Sequence, residues 1–142
     1  MLASWQFWAL LSAAFAALTA VFAKVGVENV GSDFATFIRT IVILIVAALI
    51  VTLSGEWRSP GSVSGRTYTF LVLSGLATGL SWLCYFRALK LGDAARVAPL
   101  DKLSVVMVAV FGVVFLGERL SGVNWLGVCL IAAGAVLVAY RV

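Results

Sequence analysis

A chain of 142 residues that is 63% hydrophobic and only 11% charged cannot hide its apolar side chains in a water-soluble core, since soluble domains carry about 25% charged residues. Its net charge of +4 is scattered, with no basic run or stripe, which argues against a nucleic-acid partner. It has no histidine, so imidazole catalysis and histidine-ligated metal sites are excluded. Its two cysteines, Cys84 and Cys129, lie inside apolar runs rather than in a disulfide framework.

The apolar runs are Trp5 to Ala23, Phe34 to Leu53, Tyr68 to Phe86, Val97 to Leu116 and Val123 to Tyr140, each 18 to 20 residues long. A hydrocarbon layer ~30 Å thick takes ~20 helical residues to cross. Inside lipid a helix satisfies its own backbone, and none of the runs shows the polar alternation of barrel strands. The expectation is an all-α, polytopic membrane protein: one domain over residues 1–142, five transmembrane helices and short connections, packed as one bundle.

The first run carries the small-residue stretches Ala14 to Ala16 and Ala20 to Ala23, but no lysine or arginine precedes Lys24. A signal peptide needs such a charged start, so a retained helix is expected. Trp5, Trp8, Ser12, Phe15, Thr19 and Phe22 share one face of it by three- and four-residue spacing. Ala9, Ala13, Ala16, Ala17 and Ala20 make a small face. In the second run Arg39 stands six residues beyond Asp33, about 9 Å of helix. Its expected role is structural, by reaching the interface or a carbonyl of another helix.

The connection from Ser54 to Thr67 holds Gly55, Pro60, Gly61 and Gly65, all helix punctuation. In the third run Gly75 and Gly79 form a GxxxG, whose simplest use is close helix approach. Ser74, Thr78, Ser81 and Tyr85 form a polar stripe there, with Trp82 beside it. Aromatics mixed with hydroxyls suit a pocket for an organic molecule, and equally suit packing or, for Trp5 and Trp8, an interfacial belt.

The fourth run contains Pro99, Asp101 and Lys102. Ionisable groups in a span cost about 3 kcal/mol on insertion scales and are functional candidates. Proline kinks a helix. Neighbouring residues on a helix point roughly 100° apart, so Asp101 and Lys102 are not expected to face one partner together. Either one contacts a solute or carries a proton, or both reach the headgroups. A tight turn from Gly117 to Gly122, containing Glu118, leads to the last run. No GxSxG, phosphate loop, HExxH or CxxC occurs, and no catalytic residue is expected.

With five spans the termini fall on opposite sides. One side carries Arg58, Arg66 and Arg119 and the other Lys24, Arg87, Lys90, Arg96 and Arg141, three against five. The excess favours a cytoplasmic C-terminus, but so small a bias leaves insertion in both orientations open. Two copies could then pair antiparallel, generating the inverted repeat on which many transporters are built.

The stretch from Arg87 to Tyr140 resembles the EamA-type repeat of the drug/metabolite transporter superfamily. The residues that carry the resemblance are Ala88-Leu89 and Gly92, the Ala98-Pro99-Leu100 break, Gly117-Glu118 closing the fourth span, and Gly127 and Gly134 in the fifth; Arg39 also fits the pattern. Most members resemble two fused repeats of five helices in inverted arrangement, whereas this chain has one. The resemblance therefore implies a homodimer, for which the antiparallel arrangement is open, or a heterodimer with another short chain. It implies that the first, third and fourth helices line a central cavity, which singles out Trp8, Ser12, Ser81, Trp82, Tyr85, Asp101 and Lys102 for substrate. Arg39, Pro99, Glu118, Gly75 and Gly79 are left as structural. It further implies an inner-membrane exporter or exchanger of small organic solutes working by alternating access, without cofactor or metal. A flippase for a lipid-linked substrate and a non-transporting subunit are the alternatives.

Overall fold

A computed structural model describes residues 4–140, and all regular secondary structure among the described residues is helical, without strands. Helix α1 spans Trp5–Gly26, α2 Ser32–Ser54, α3 Gly65–Leu91, α4 Ala94–Asp101, α5 Leu103–Phe115 and α6 Gly122–Ala139. A single 3₁₀ turn, Pro60–Ser62, lies in the α2–α3 connection. Counting α4 and α5 together as Ala94–Phe115, five helical spans are long and apolar enough to cross a membrane.

The helix ends follow from local chemistry. Asp33 lies in the first turn of α2, where a negative charge complements the helix dipole. At the other end Gly55 adopts φ 67°, its N–H bonds Thr52 O at 3.3 Å and the Glu56 N–H bonds Val51 O at 3.1 Å. This left-handed closure is one glycine takes without strain. Ser64 and Ser121 cap α3 and α6, each accepting the N–H three residues on, from Thr67 at 3.2 Å and Asn124 at 3.3 Å. Gly117, at φ 69°, is the other left-handed position among the described residues, and there the Glu118 N–H bonds Gly112 O at 3.0 Å. Gly55→Ala and Gly117→Ala are each expected to lower stability by about 1–2 kcal/mol, read as a lower melting temperature. Gly61→Ala, with open space and no positive φ, should change little.

Within the spans, threonines serve their own helices. Thr36 bonds Ser32 O at 2.9 Å, Thr40 bonds Thr36 O at 2.8 Å, Thr52 bonds Ala48 O at 2.7 Å and Thr78 bonds Ser74 O at 2.9 Å. A hydroxyl facing lipid has no water to turn to, so the carbonyl four residues back is its natural acceptor.

The residues fall into two compact units. The first holds the chain up to Lys24 and from Leu91 onward. In it α4 and α5 pack on α6, and the Lys24 ammonium donates to Gly92 O at 2.9 Å. The second, Val25–Lys90, holds α2 and most of α3. Here long side chains tie the start of α2 to the end of α3: Arg87 donates to both Asp33 carboxylate oxygens at 3.2 and 3.1 Å, and Lys90 donates to Val30 O at 2.7 Å. Buried apolar residues are few and mostly small: Ala20, Ala23 and Ala135 in the first unit, and Val27, Phe86 and Leu89 in the second. Only 6% to 11% of each spanning stretch is buried, so most of the apolar surface is left for lipid or a second protein to cover.

The disturbance expected of Pro99 in the fourth span takes the form of a break a few residues beyond it. The helix ends at Asp101 and restarts at Leu103, with Lys102 at φ −71°, ψ −3° between them. Pro99 has no N–H to continue the ladder. The Lys102 N–H turns to Pro99 O at 3.0 Å, three residues back, and the Val105 N–H to Lys102 O at 3.0 Å. The turn is tightened to a 3₁₀ pattern and the span is discontinuous.

Candidate functional site

The first pair of ionisable groups lies at the discontinuity. Lys102 Nζ lies 3.3 Å from Asp101 Oδ2, so these neighbours pair with each other. The two were not expected to face one partner together, and the contact made here is between themselves. Adjacent helical positions point roughly 100° apart, and the long lysine stem folds back across that angle to its neighbour. Both stay accessible, Lys102 at 54% and Asp101 at 36% of the side chain. Lys102 lies eight residues past Ala94, about 12 Å along the span. Half of a ~30 Å hydrocarbon layer is ~15 Å.

Glu118 folds back over α5. A methyl group added at Gly112 would sit 2.5 Å from Glu118 Oε2, so glycine at 112 gives the carboxylate its resting place. The Gly112 carbonyl also accepts the Glu118 and Leu116 N–H groups, at 3.0 and 3.1 Å. The Gly117-Glu118 pair thus closes the fourth span.

In the second unit Trp82, on α3, receives Arg39 of α2. The guanidinium carbon lies 4.2 Å from the centroid of the Trp82 ring and 5.3 Å from that of Phe86. A cation over an aromatic face within about 6 Å is held by the ring quadrupole. Arg39 therefore rests on rings, and among the described residues no carbonyl takes its N–H groups. Tyr85 stands beside Phe86, ring centroids 6.4 Å apart. The Ser81 side chain is exposed, and among the described residues its hydroxyl has no acceptor, whereas Thr78 spends its hydroxyl on Ser74 O.

On α1, Trp8 is 60% exposed and packs edge-on against Phe7, with ring centroids 5.5 Å apart. Ser12 is exposed one turn further along. Within the second unit, Gly75 and Gly79 have open space where a side chain would stand, so the close approach expected of the GxxxG is not made there. Among the described residues no three metal-binding side chains of the His, Cys, Asp or Glu type stand together.

Two arrangements went unread in the sequence. One is the aromatic seat of Arg39, which Phe86 completes. The other is the tie of Asp33 and Val30 to Arg87 and Lys90. Trp82 and Phe86 are four apart and so share a helix face, but that this face meets Arg39 depends on how α2 and α3 pair.

Comparison with known proteins adds the following. Residues 3–140 match the EamA-like transporter family. A protein of Sinorhizobium sp., described as an uncharacterized transporter in the cobO 3′ region, is 74% identical over 136 residues, covering 96% of each chain. No solved structure matches.

Proposed function

We propose that this chain, which belongs to the EamA-like transporter family and is a multi-pass membrane protein, moves small organic solutes across the membrane by alternating access. The transporter named in its Sinorhizobium relative, so similar along nearly the whole length, supports the same class of activity here. Two copies form the working unit, and the solute path exists only between them.

The observation that carries this reading is the placement of polar side chains on surfaces the chain itself leaves uncovered. Lys102 and Asp101 are exposed at a break within a span, and Ser12 and Ser81 expose hydroxyls without acceptors among the described residues. Facing lipid, each of these groups is costly. Lining a water-filled cavity they are not, and irregular backbone at membrane depth is tolerated where it lines a cavity or is buried in protein. A second copy in inverted orientation supplies such a cavity with the symmetry that alternating access requires. The solute-contacting groups proposed are Trp8, Ser12, Asp101 and Lys102 in the first unit and Ser81, Trp82 and Tyr85 in the second. No catalytic step, cofactor or metal enters this account.

The test is ligand-dependent stabilisation. A molecule that binds only the folded protein raises its melting temperature in proportion to the logarithm of its concentration. Purified protein screened against amino acids, amines, organic acids and sugars is expected to show a rise for one chemical class. That class should then exchange across proteoliposomes containing this chain alone. Stabilising solutes that fail to cross would contradict transport and favour a binding subunit.

A further inference from the structure

We infer that Arg39, seated on Trp82 and Phe86, is the receptor for an anionic oxygen group, a carboxylate or a phosphate. The inference rests on the transport reading above and narrows its solute class.

Arg39 is seven residues into α2, about 10 Å along the helix from Ser32. Helix side chains tilt toward the N-terminus, so its guanidinium leans toward the Asp33 end. The carboxylate at that end pairs with Arg87 rather than with Arg39, both Asp33 oxygens accepting from Arg87 at 3.2 and 3.1 Å. What Arg39 has instead is two rings, at 4.2 and 5.3 Å, with Tyr85 in electrostatic reach. Ring faces attract the charge but offer no lone pairs, whereas the guanidinium carries five N–H donors in a planar fork. Among the described residues none accepts from it. Nor is the group sealed away: the residue is half-exposed, and no buried side-chain nitrogen or oxygen lacks a partner among the described residues.

The seat therefore orients a fork and leaves its acceptors to be supplied from outside the chain. Carboxylate and phosphate oxygens match that fork two at a time, and the bond strengthens where water is scarce. The aromatic rings add apolar surface beside the charge, which suits an anion attached to an apolar body. Such an oxygen group can come from a dissolved solute or from a lipid headgroup.

The experiment uses the full chain, purified in maltoside detergent without phospholipid, with arginine side chains labelled by nitrogen-15. Three probes of one shape are added at millimolar concentration: benzoate, neutral benzamide and cationic benzylamine. Phosphatidylglycerol is added separately. Benzoate is expected to raise the melting temperature by several degrees and to shift the Arg39 Nε–H resonance, assigned by its absence in Arg39→Lys. Benzamide and benzylamine should do neither. Arg39→Gln should lose the response to benzoate and Arg39→Lys should keep part of it.

An Arg39-dependent response to phosphatidylglycerol with none to benzoate assigns the same chemistry to a headgroup. The inference is overturned if neither anion acts, or if the benzoate response survives in Arg39→Gln. Should Arg39→Gln fail to fold, the wild-type resonance decides, and an unmoved Arg39 signal under both anions overturns it. Stabilisation and exchange of benzylamine in place of benzoate would overturn the anion assignment while leaving transport standing.

Discussion

Lys102→Ala is expected to abolish solute exchange in proteoliposomes while leaving two chains assembled. The ammonium sits at the break between α4 and α5, paired only along the chain with Asp101 at 3.3 Å and exposed over 54% of its side chain. In the water-filled cavity proposed above, an ion pair contributes about 0–1 kcal/mol, so removing the lysine should scarcely affect folding or assembly. A hydrogen bond from a charged group to a bound solute is worth about 1.5–3 kcal/mol, which corresponds to roughly 10- to 150-fold in affinity. Lys102→Arg keeps the charge but changes its shape, and should retain part of the activity. Size-exclusion chromatography reads the assembly and counterflow reads the exchange. Unchanged exchange in Lys102→Ala would remove Lys102 from the solute path.

The second large effect concerns the pairing of α2 with α3. Trp82→Ala strips one ring from beneath a charge within a spanning helix, and Arg39→Met removes the charge. Trp82→Ala is expected to destabilise by about 2 kcal/mol or more, because it uncovers the charge, and Arg39→Met, which removes the charge itself, by less. In the double variant the loss should be smaller than the sum by about 1–2 kcal/mol, since residues in contact are coupled. Unfolding in mixed detergent micelles measures all three. Additive losses would show that Arg39 and Trp82 act independently. Asp33→Asn breaks only an exposed bridge, with side chains 64% and 62% accessible, and serves as the mild reference.

The spans were legible because their signal is one of length and polarity measured against a fixed bilayer thickness. Their ends were less so. Helix α3 runs from Gly65 to Leu91, beyond both ends of the apolar run from Tyr68 to Phe86. The helical hydrogen bonds continue into the headgroup region, where Arg66, Arg87 and Lys90 are at home. Pro99 announced a disturbance in the fourth span but not its form. The helix gives way at Lys102, because a tightened turn closes onto the Pro99 carbonyl. The pairing of Asp101 with Lys102 comes from the reach of the lysine stem, which a helical projection of side-chain directions does not show.

Among the candidate residues, Trp82 gained a partner no periodicity could reveal. Its meeting with Arg39 joins positions 43 apart in the chain, and such pairings depend on how helices pack rather than on local pattern. Thr78 illustrates the opposite case. It belongs to the third-helix stripe by spacing, yet its hydroxyl is spent on Ser74 O at 2.9 Å, leaving Ser81 as the available hydroxyl of that group. The GxxxG spacing was legible, but its expected use was not realised within the unit, where open space lies beside Gly75 and Gly79.

Labelling a single cysteine in living cells tests most directly whether one chain is half of a transporter built from oppositely inserted copies. With Cys84 and Cys129 replaced, a cysteine at Ser59, exposed in the α2–α3 connection, reports the side on which that connection lies. A membrane-impermeant maleimide applied before and after lysis should label roughly half of the molecules in intact cells, because the inverted pair requires both orientations. Labelling of all molecules, or of none, before lysis would contradict the antiparallel pair.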